Sequence, residues 1–198
     1  MARTIAKDHD VKRQLIQDTA ARVFAETGFD RASMSQLAKE CGLSKAAIYH
    51  YYDSKDSLLF DILDNHLKAL RDRVLSVPRN GSDPQKYLQE LLEEILLAYR
   101  GADFQHRVQI DAMAYLPPEQ QTQLRSYQHA LVQLVSDCLI ELSPDTLTSD
   151  KRKLKATTMS VFGMLNWFYM WNKDAREEAR IEYANVVANL IMNGIKGV

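Results

Sequence analysis

The sequence contains little that would interrupt a helix, staple a small secreted domain or cross a membrane. Its 198 residues include only 7 glycines, 5 prolines and 2 cysteines. Scarce Gly and Pro favour long helices, and the widely separated Cys41 and Cys138 fit a reduced, cytoplasmic protein rather than a disulfide scaffold. The most apolar stretch, Val161 to Trp171, is much shorter than the about 20 residues that a membrane span needs. The first residues contain no apolar core of a secretory signal.

An excess of charge of one sign is also lacking. Lys and Arg total 25 and Asp and Glu total 26, so the net charge is −1. This balance excludes binding to nucleic acid by bulk positive charge alone, although it permits a local basic surface. Residues 1–55 hold nine basic against seven acidic side chains, an excess of the right sign for such a surface in the N-terminal part.

Helical periodicity is present along almost the whole chain. Ile16, Ala20, Val23 and Phe24 recur on one face of a helix that Gly28 ends. No stretch alternates with period two, so the sequence predicts an all-α protein of eight or nine helices. The predicted helices lie at about residues 11–27, 34–41, 45–51, 55–76, 84–100, 102–116, 118–142, 150–172 and 176–194, with the clearest linker at 77–83.

The second and third predicted helices have the outline of a helix-turn-helix. Both are short, Ser33 and Ser44 are their expected N-caps, and Gly42 lies between them. The first turn of the later helix of this pair, at 45–51, would enter the major groove, where Lys45 can donate to guanine O6 and N7. Small residues beside Lys45 allow close approach to the base edges. A simple turn within a helical bundle is the alternative interpretation of the same pattern.

The residues around this helix pair carry a longer pattern. It reads Phe24-x3-Gly28-Phe29-x3-Ser33-Met34-x2-Leu37-Ala38-x2-Cys41-Gly42-Leu43-Ser44-Lys45-x2-Ile48-Tyr49-x-Tyr51-Tyr52-x-Ser54-Lys55-Asp56-x-Leu58-Leu59. This pattern resembles the N-terminal signature of the TetR/AcrR family of transcriptional regulators. The resemblance implies a flexible arm over residues 1–10, a DNA-binding domain over 11–54 and a ligand-sensing and dimerisation domain over 55–198.

By the same resemblance, base contacts would come from Lys45, Ala46, Ala47 and Tyr49, and phosphate contacts from Ser33, Ser44, His50, Tyr51 and Lys55. Many members of the family carry His before the final aromatic residue, where this chain has Tyr51 with His50 beside it. The choice between these two residues as the phosphate ligand therefore stays open.

The segment from Phe162 to Trp171 is apolar all round, which predicts a helix at the centre of a bundle. Its aromatic residues and neighbouring methionines could form an adaptable wall for an apolar ligand. The Asn-Trp pair and the later Trp resemble a branch of the family that senses acyl-CoA thioesters. The expected ligand contacts are Arg107, Met113, Met164, Asn166, Trp167, Tyr169 and Trp171. The resemblance also implies a homodimer formed through the last two helices.

These observations predict a homodimeric repressor that binds an inverted-repeat operator and is released by a small hydrophobic effector, with an acyl-CoA thioester of a catabolic pathway as the first choice. A regulator of drug efflux or stress that senses a free hydrophobic molecule is the alternative. A helical enzyme using His106, Asp111 or Glu119 is disfavoured, because the histidines lack metal-site spacing and no glycine-rich phosphate loop is present. A further hypothesis is an architectural DNA-binding protein that has no sensor. No cofactor, metal or membrane partner is expected.

Overall fold

The computed structural model describes residues 2–79, 81, 83–172 and 176–194, with side chains described from residue 9 onward. Within these ranges the protein contains ten α-helices, one short 3-10 turn and no β-strand. The helices are α1 Ala2–Thr27, α2 Met34–Glu40, α3 Lys45–Tyr51, α4 Lys55–Leu75, α5 Pro84–Ala98, α6 Asp103–Ala112, α7 Pro118–Leu142, α8 Pro144–Leu147, α9 Lys151–Trp171 and α10 Glu177–Gly194, and the 3-10 turn is Met113–Tyr115. The all-α prediction is confirmed.

Three elements differ from the expected ones. The helix expected at 102–116 ends at Ala112 and is followed by the 3-10 turn Met113–Tyr115. The additional helix is α8, where Pro144 occupies the first helical position and starts a single turn instead of only ending α7. At the other end of the chain, α1 begins at Ala2, so the segment expected as a flexible arm is helical from residue 2 onward. Residues 1–10 contain neither Pro nor Gly, so nothing in them stops the helix from extending toward the N-terminus.

The chain forms two compact units. The first comprises Met1–Leu67 and Ala102–Leu124, and the second comprises Lys68–Gly101 and Arg125–Val198. The boundary between them falls inside α4 rather than at the predicted domain boundary after residue 54. The early part of α4 belongs to the first unit because its apolar residues Leu58, Leu59 and Leu63 are fully buried there. The predicted linker at 77–83 includes residues 80 and 82, which lie outside the described residues.

The core of the first unit is built on the apolar face of α1 that the periodicity predicted. Ile16, Ala20, Val23 and Phe24 are all buried, and α1 packs against both α2 and α6. Ile48, in the middle of α3, is completely buried as well. A buried side chain of this size contributes about 1.5–3 kcal/mol relative to an exposed one, so these contacts fix the short helices that could not be stable alone.

The core of the second unit lies along α5. The face of this helix that carries Leu88, Leu91 and Ile95 is fully buried, and α5 packs extensively against α10. Small residues of α10, Ala184 and Ala188, are buried at this contact and permit close approach of the two helices. None of the described helices is long and apolar enough to cross a membrane.

The prediction that the aromatic helix α9 lies at the centre of a bundle is wrong. Phe162, Leu165 and Phe168 face the core and are buried, whereas Trp167 and Trp171 are 60% and 57% exposed. This helix therefore has one buried and one exposed face instead of lying at the centre of a bundle. The apolar character on all sides gave no periodicity from which the exposed face could be recognised.

Candidate functional site

The helix-turn-helix is formed by α2 and α3 in the first unit. Ser33 Oγ accepts a hydrogen bond from Gln36 N at 3.2 Å, and Ser44 Oγ accepts one from Ala47 N at 3.1 Å. Both predicted N-caps are thus present. Gly42 has a φ of +66°, a left-handed conformation that favours glycine, and Leu43 N donates to Ala38 O at 2.8 Å across this turn. These local contacts reverse the chain between the two helices.

The N-terminal part of α3 presents small and polar residues outward. Ser44, Lys45 and Ala46 are exposed, as are Tyr49 and His50 further along. The opposite face carries the buried Ile48, and the buried Tyr52 follows the last residue of the helix. α3 is therefore anchored on one side, and its other side is exposed.

Two other predicted contacts, Ala47 and Tyr51, are half-buried. The Tyr51 ring stacks on His9, with ring centroids 4.7 Å apart, and its edge meets the His50 ring at 5.7 Å. These aromatic contacts join the end of α3 to the start of α1. Both His50 and Tyr51 remain candidate phosphate ligands.

The Lys55 side chain, a predicted phosphate contact, is hydrogen-bonded within the protein. Its ammonium group donates to the backbone carbonyls of Phe29, Asp30 and Ala32 at 2.7, 3.2 and 3.2 Å. It also lies 4.3 Å from the centroid of the Phe29 ring. An ammonium group has three donors, and all of them are used in the connection between α1 and α2. The backbone N–H groups at the start of α4 are further candidates for binding a phosphate near this residue.

Two arginines that contribute to the positive charge of the N-terminal part are paired with carboxylates. Arg13 binds Asp61 with an N–O distance of 2.8 Å, and Arg22 binds Glu40 at 2.8 Å. Neither guanidinium is therefore a bare charge at the surface. Other basic side chains of the same unit, Lys12, Arg31, Lys39 and Lys45, are exposed.

The predicted ligand contacts are divided between the two units. Arg107 and Met113 belong to the first unit, and Met164, Asn166, Trp167, Tyr169 and Trp171 belong to the second. Arg107 is exposed and lies 3.5 Å from the carboxylate of Asp111, one turn away on α6. This pairing is that of a solvated helix surface.

In the second unit, Asn166 is hydrogen-bonded within the core. The Tyr99 hydroxyl donates to Asn166 Oδ1 at 2.9 Å, and burial raises the pKa of Tyr99 well above its ordinary value, so this hydroxyl stays protonated. The Tyr183 hydroxyl donates to the backbone oxygen of Met164 at 3.2 Å. Met164, Asn166 and Tyr169 are partly buried, whereas Trp167 is exposed. Trp171 is exposed as well, but its ring lies 5.1 Å from the Phe168 ring and 5.2 Å from the Tyr183 ring.

Several buried polar groups of the first unit were missed by the sequence interpretation. Among the described residues of this unit, the side-chain atoms that are buried without a hydrogen-bond partner include His66 Nε2, Gln105 Oε1, Gln109 Oε1 and Gln120 Oε1. Burial, with His106 nearby, lowers the pKa of His66 to about 4, so its imidazole is neutral at pH 7. The buried amides could have been predicted from the glutamines at positions 105 and 109, because residues four apart lie on the same side of a helix such as α6.

Two family profiles match the chain. Residues 16–62 match the profile described as bacterial regulatory proteins of the tetR family. Residues 81–195 match the profile described as tetracyclin repressor-like, C-terminal domain. The second match alone covers more than half of the chain.

Individual proteins show the same similarity. An uncharacterized HTH-type transcriptional regulator of Bacillus subtilis (strain 168), YuxN, is 37% identical over 89 residues, which are 43% of this chain and 31% of that protein. Alignments to two further curated relatives cover 43% and 40% of those proteins, so the chain matches less than half the length of these relatives.

Solved structures match over nearly the whole chain. A TetR-family transcriptional regulator from Bordetella parapertussis 12822 has a TM-score of 0.85 and 30% identity, covering 94% of this chain and 96% of that chain. The structure of AibR in complex with isovaleryl coenzyme A and operator DNA has a TM-score of 0.74 over 90% of this chain and 97% of that chain. At 23% identity the second likeness concerns the fold alone.

Proposed function

This chain belongs to the tetR family of bacterial regulatory proteins, and we propose that it is a homodimeric, ligand-responsive repressor that binds an inverted-repeat operator. The observation that carries the proposal is the outer side of α3, where Lys45, Ala46 and Tyr49 are exposed while Ile48 anchors the helix from behind. A helix held in this way can enter a major groove without disturbing its own packing.

In the proposed complex, the first turn of α3 reads the bases. The Lys45 ammonium donates to guanine O6 and N7, and the small Ala46 lets the backbone approach the base edges. Ser33, Ser44, His50 and Tyr51 donate to phosphates, which fix the register of the helix without selecting a sequence. The two copies of α3 in a dimer would read half-sites about 34–36 Å apart.

An exposed apolar stripe on α9 supports the homodimer. Met159, Trp167 and Met170 are exposed at spacings that place them on one side of the helix, with Gly163 also exposed between them. On the neighbouring α10, Val186 and Leu190 are exposed one turn apart. Contiguous exposed apolar side chains are typical of protein–protein contacts, and a second copy related by a two-fold axis would cover both helices with the same surface.

For the effector, we favour an acyl-CoA thioester. The structural neighbour AibR was solved with isovaleryl coenzyme A and operator DNA, which supports this class without identifying the acyl group. Met164 and Tyr169 of α9 remain the proposed apolar contacts, with Asn166 beside them. An effector can release the operator only through a higher affinity for the conformation that does not fit DNA, and a tenfold release requires about 1.4 kcal/mol of difference.

The buried polar atoms of the first unit favour the alternative effector, a free hydrophobic molecule with N–H or O–H groups. Amide oxygens such as those of Gln105 and Gln109 accept hydrogen bonds. A buried acceptor without a partner costs about 1–3 kcal/mol, and a donor on the effector would remove this cost. A neutral His66 would offer a further partner.

The proposed function can be tested by fluorescence anisotropy with DNA from upstream of the protein's own gene and with unrelated DNA of equal length. We expect the upstream DNA to bind at least about a thousandfold more tightly, with a stoichiometry of two chains for each inverted repeat. Equal affinity for both DNAs would contradict the proposal.

A second series of titrations identifies the effector class. It adds CoA thioesters of increasing acyl length, the matching free acids and a set of donor-bearing drugs to the preformed complex. Release by thioesters alone supports the acyl-CoA proposal, and release by free molecules alone supports the alternative. The architectural hypothesis predicts no release by any compound.

A further inference from the structure

A hydrogen-bond network around Asp61 connects three helices of the first unit. Asp61 Oδ2 accepts from the Tyr52 hydroxyl at 2.5 Å, from Gln17 Nε2 at 2.5 Å and from Arg13 Nη2 at 2.8 Å. Arg13 Nη2 also lies 2.9 Å from Asp61 Oδ1, and Asn65 Nδ2 donates to Gln17 Oε1 at 3.2 Å. Side chains of α1 and α4 therefore converge on the residue that follows α3.

We propose that Asp61 is a positioning residue for DNA reading, because its carboxylate holds Tyr52 and thereby sets the orientation of α3. This inference rests on the proposed function, since it assumes that α3 is the helix that reads the operator. Asp61 acts through Tyr52 and does not itself contact DNA.

Tyr52 is the point at which α3 is held at its C-terminal end. Its backbone N–H donates to Ile48 O at 3.0 Å and closes the last turn, and its ring is buried. The helix has only 7 residues, so its own hydrogen bonds cannot determine its direction. Ile48 anchors the middle of the helix and Tyr52 anchors its end, and two anchor points define an axis.

The chemistry of the network makes an acceptor at residue 61 necessary. The Tyr52 oxygen accepts from Gln17 Nε2 at 2.9 Å and from Arg13 Nε at 3.2 Å, and neither of these groups can accept the phenolic proton. Asp61 is the acceptor for that proton. Burial, followed by the hydrogen bond to Asp61, raises the pKa of Tyr52, so the phenol stays a donor at neutral pH.

The charges in the network are also matched. Arg13 compensates the carboxylate of Asp61, and the hydrogen bond to Tyr52 is the largest cause of the raised pKa of this arginine. Hydrogen bonds between charged partners are shorter and stronger than neutral ones. The network therefore restrains Tyr52 more firmly than packing of its ring alone, and a phenylalanine at this position would lack that restraint.

The test compares Tyr52→Phe, Asp61→Asn and the double variant with the wild-type full-length protein. Each is titrated with the upstream DNA and with unrelated DNA well below its melting temperature, after circular dichroism has shown equal helix content. The matched control is Asp111→Asn, which removes the same charge from an exposed position on α6.

We expect each single variant to lose about five- to thirtyfold in affinity for the upstream DNA, with affinity for unrelated DNA unchanged within about threefold. The double variant should lose no more than the more strongly affected single variant, because Tyr52→Phe removes the donor and Asp61→Asn weakens the acceptor of the same hydrogen bond. A residue that only stabilises the fold would lower the melting temperature without changing this ratio of affinities.

Three results would overturn the inference: affinities for upstream DNA within twofold of wild type, equal losses on both DNAs, or losses that multiply in the double variant. Should Asp61→Asn fail to fold, Tyr52→Phe decides the question by its own affinity ratio, because it keeps the buried ring. Failure of the proposed function is distinguishable, since the wild-type protein itself would then not prefer the upstream DNA.

Discussion

Replacing Lys55 by methionine separates a structural role of this lysine from a role in binding phosphate. Methionine keeps most of the apolar stem and removes the ammonium group. The variant loses three hydrogen bonds to the carbonyls of Phe29, Asp30 and Ala32 and the contact with the Phe29 ring. Since one bond is short and two are at 3.2 Å, and water can reach part of this half-buried site, we expect a total loss of about 2–4 kcal/mol in the free energy of unfolding.

For a chain of this length, 1 kcal/mol corresponds to about 2–4 °C in the melting temperature, so Lys55→Met should melt about 4–16 °C lower. The control is Lys68→Met, at an exposed position of the same helix, which should melt within about 2 °C of wild type. Differential scanning calorimetry without DNA measures both changes.

The salt dependence of DNA binding then decides between the two roles. A lysine that neutralises one phosphate contributes about 0.9 to the slope of log K against log salt concentration, or about 1.8 for the two copies in a dimer. We expect the slope for Lys55→Met to stay within about 0.5 of wild type, even where the affinity falls because the turn has shifted. An unchanged melting temperature together with a slope lower by about 1.8 would refute the structural role.

The first turn of α3, the exposed face of α9 and the buried imidazole of His66 each have a measurable role. Lys45→Ala should weaken binding to upstream DNA by about 1–3 kcal/mol while binding to unrelated DNA changes little, and equal losses in parallel anisotropy titrations would contradict base reading. Trp167→Glu should weaken dimerisation by about 2 kcal/mol or more, roughly thirtyfold, in sedimentation equilibrium, whereas Phe104→Glu, at an exposed apolar position in the other unit, should leave the dimer intact. The pKa of His66 is lowered from about 6.5 to about 4 in the folded protein. Between pH 6.5 and pH 4 the unfolded chain therefore binds more protons than the folded one. The free energy of unfolding should fall by at most about 3 kcal/mol as the pH drops through this range. His66→Gln should flatten that dependence in thermal melts, compared with the exposed His129→Gln, and an unchanged pH profile would argue against a buried neutral imidazole.

The sequence by itself determined the features that depend on neighbouring residues. Ser33 and Ser44 cap their helices, and Gly42 adopts the left-handed conformation between them. Each of these is a contact within a few residues or a property of one backbone unit, so the local pattern is sufficient to predict it. The buried face of α1 followed from periodicity for the same reason, because a helix with one apolar side leaves little choice of which side is inside.

The tertiary structure decided the features that depend on distant partners. A lysine such as Lys55 is chemically suited to bind phosphate. Only the tertiary structure brings it to Phe29, 26 residues earlier, where its ammonium group donates to a backbone carbonyl. Asp61 meets Arg13 across 48 residues, a separation over which no local pattern carries information. In α9, apolar residues on every side removed the periodic signal, so the exposure of Trp167 depended on which faces the helices of the second unit covered. Whether a side chain is buried depends on how the helices pack together, so it cannot be predicted from the residue type alone.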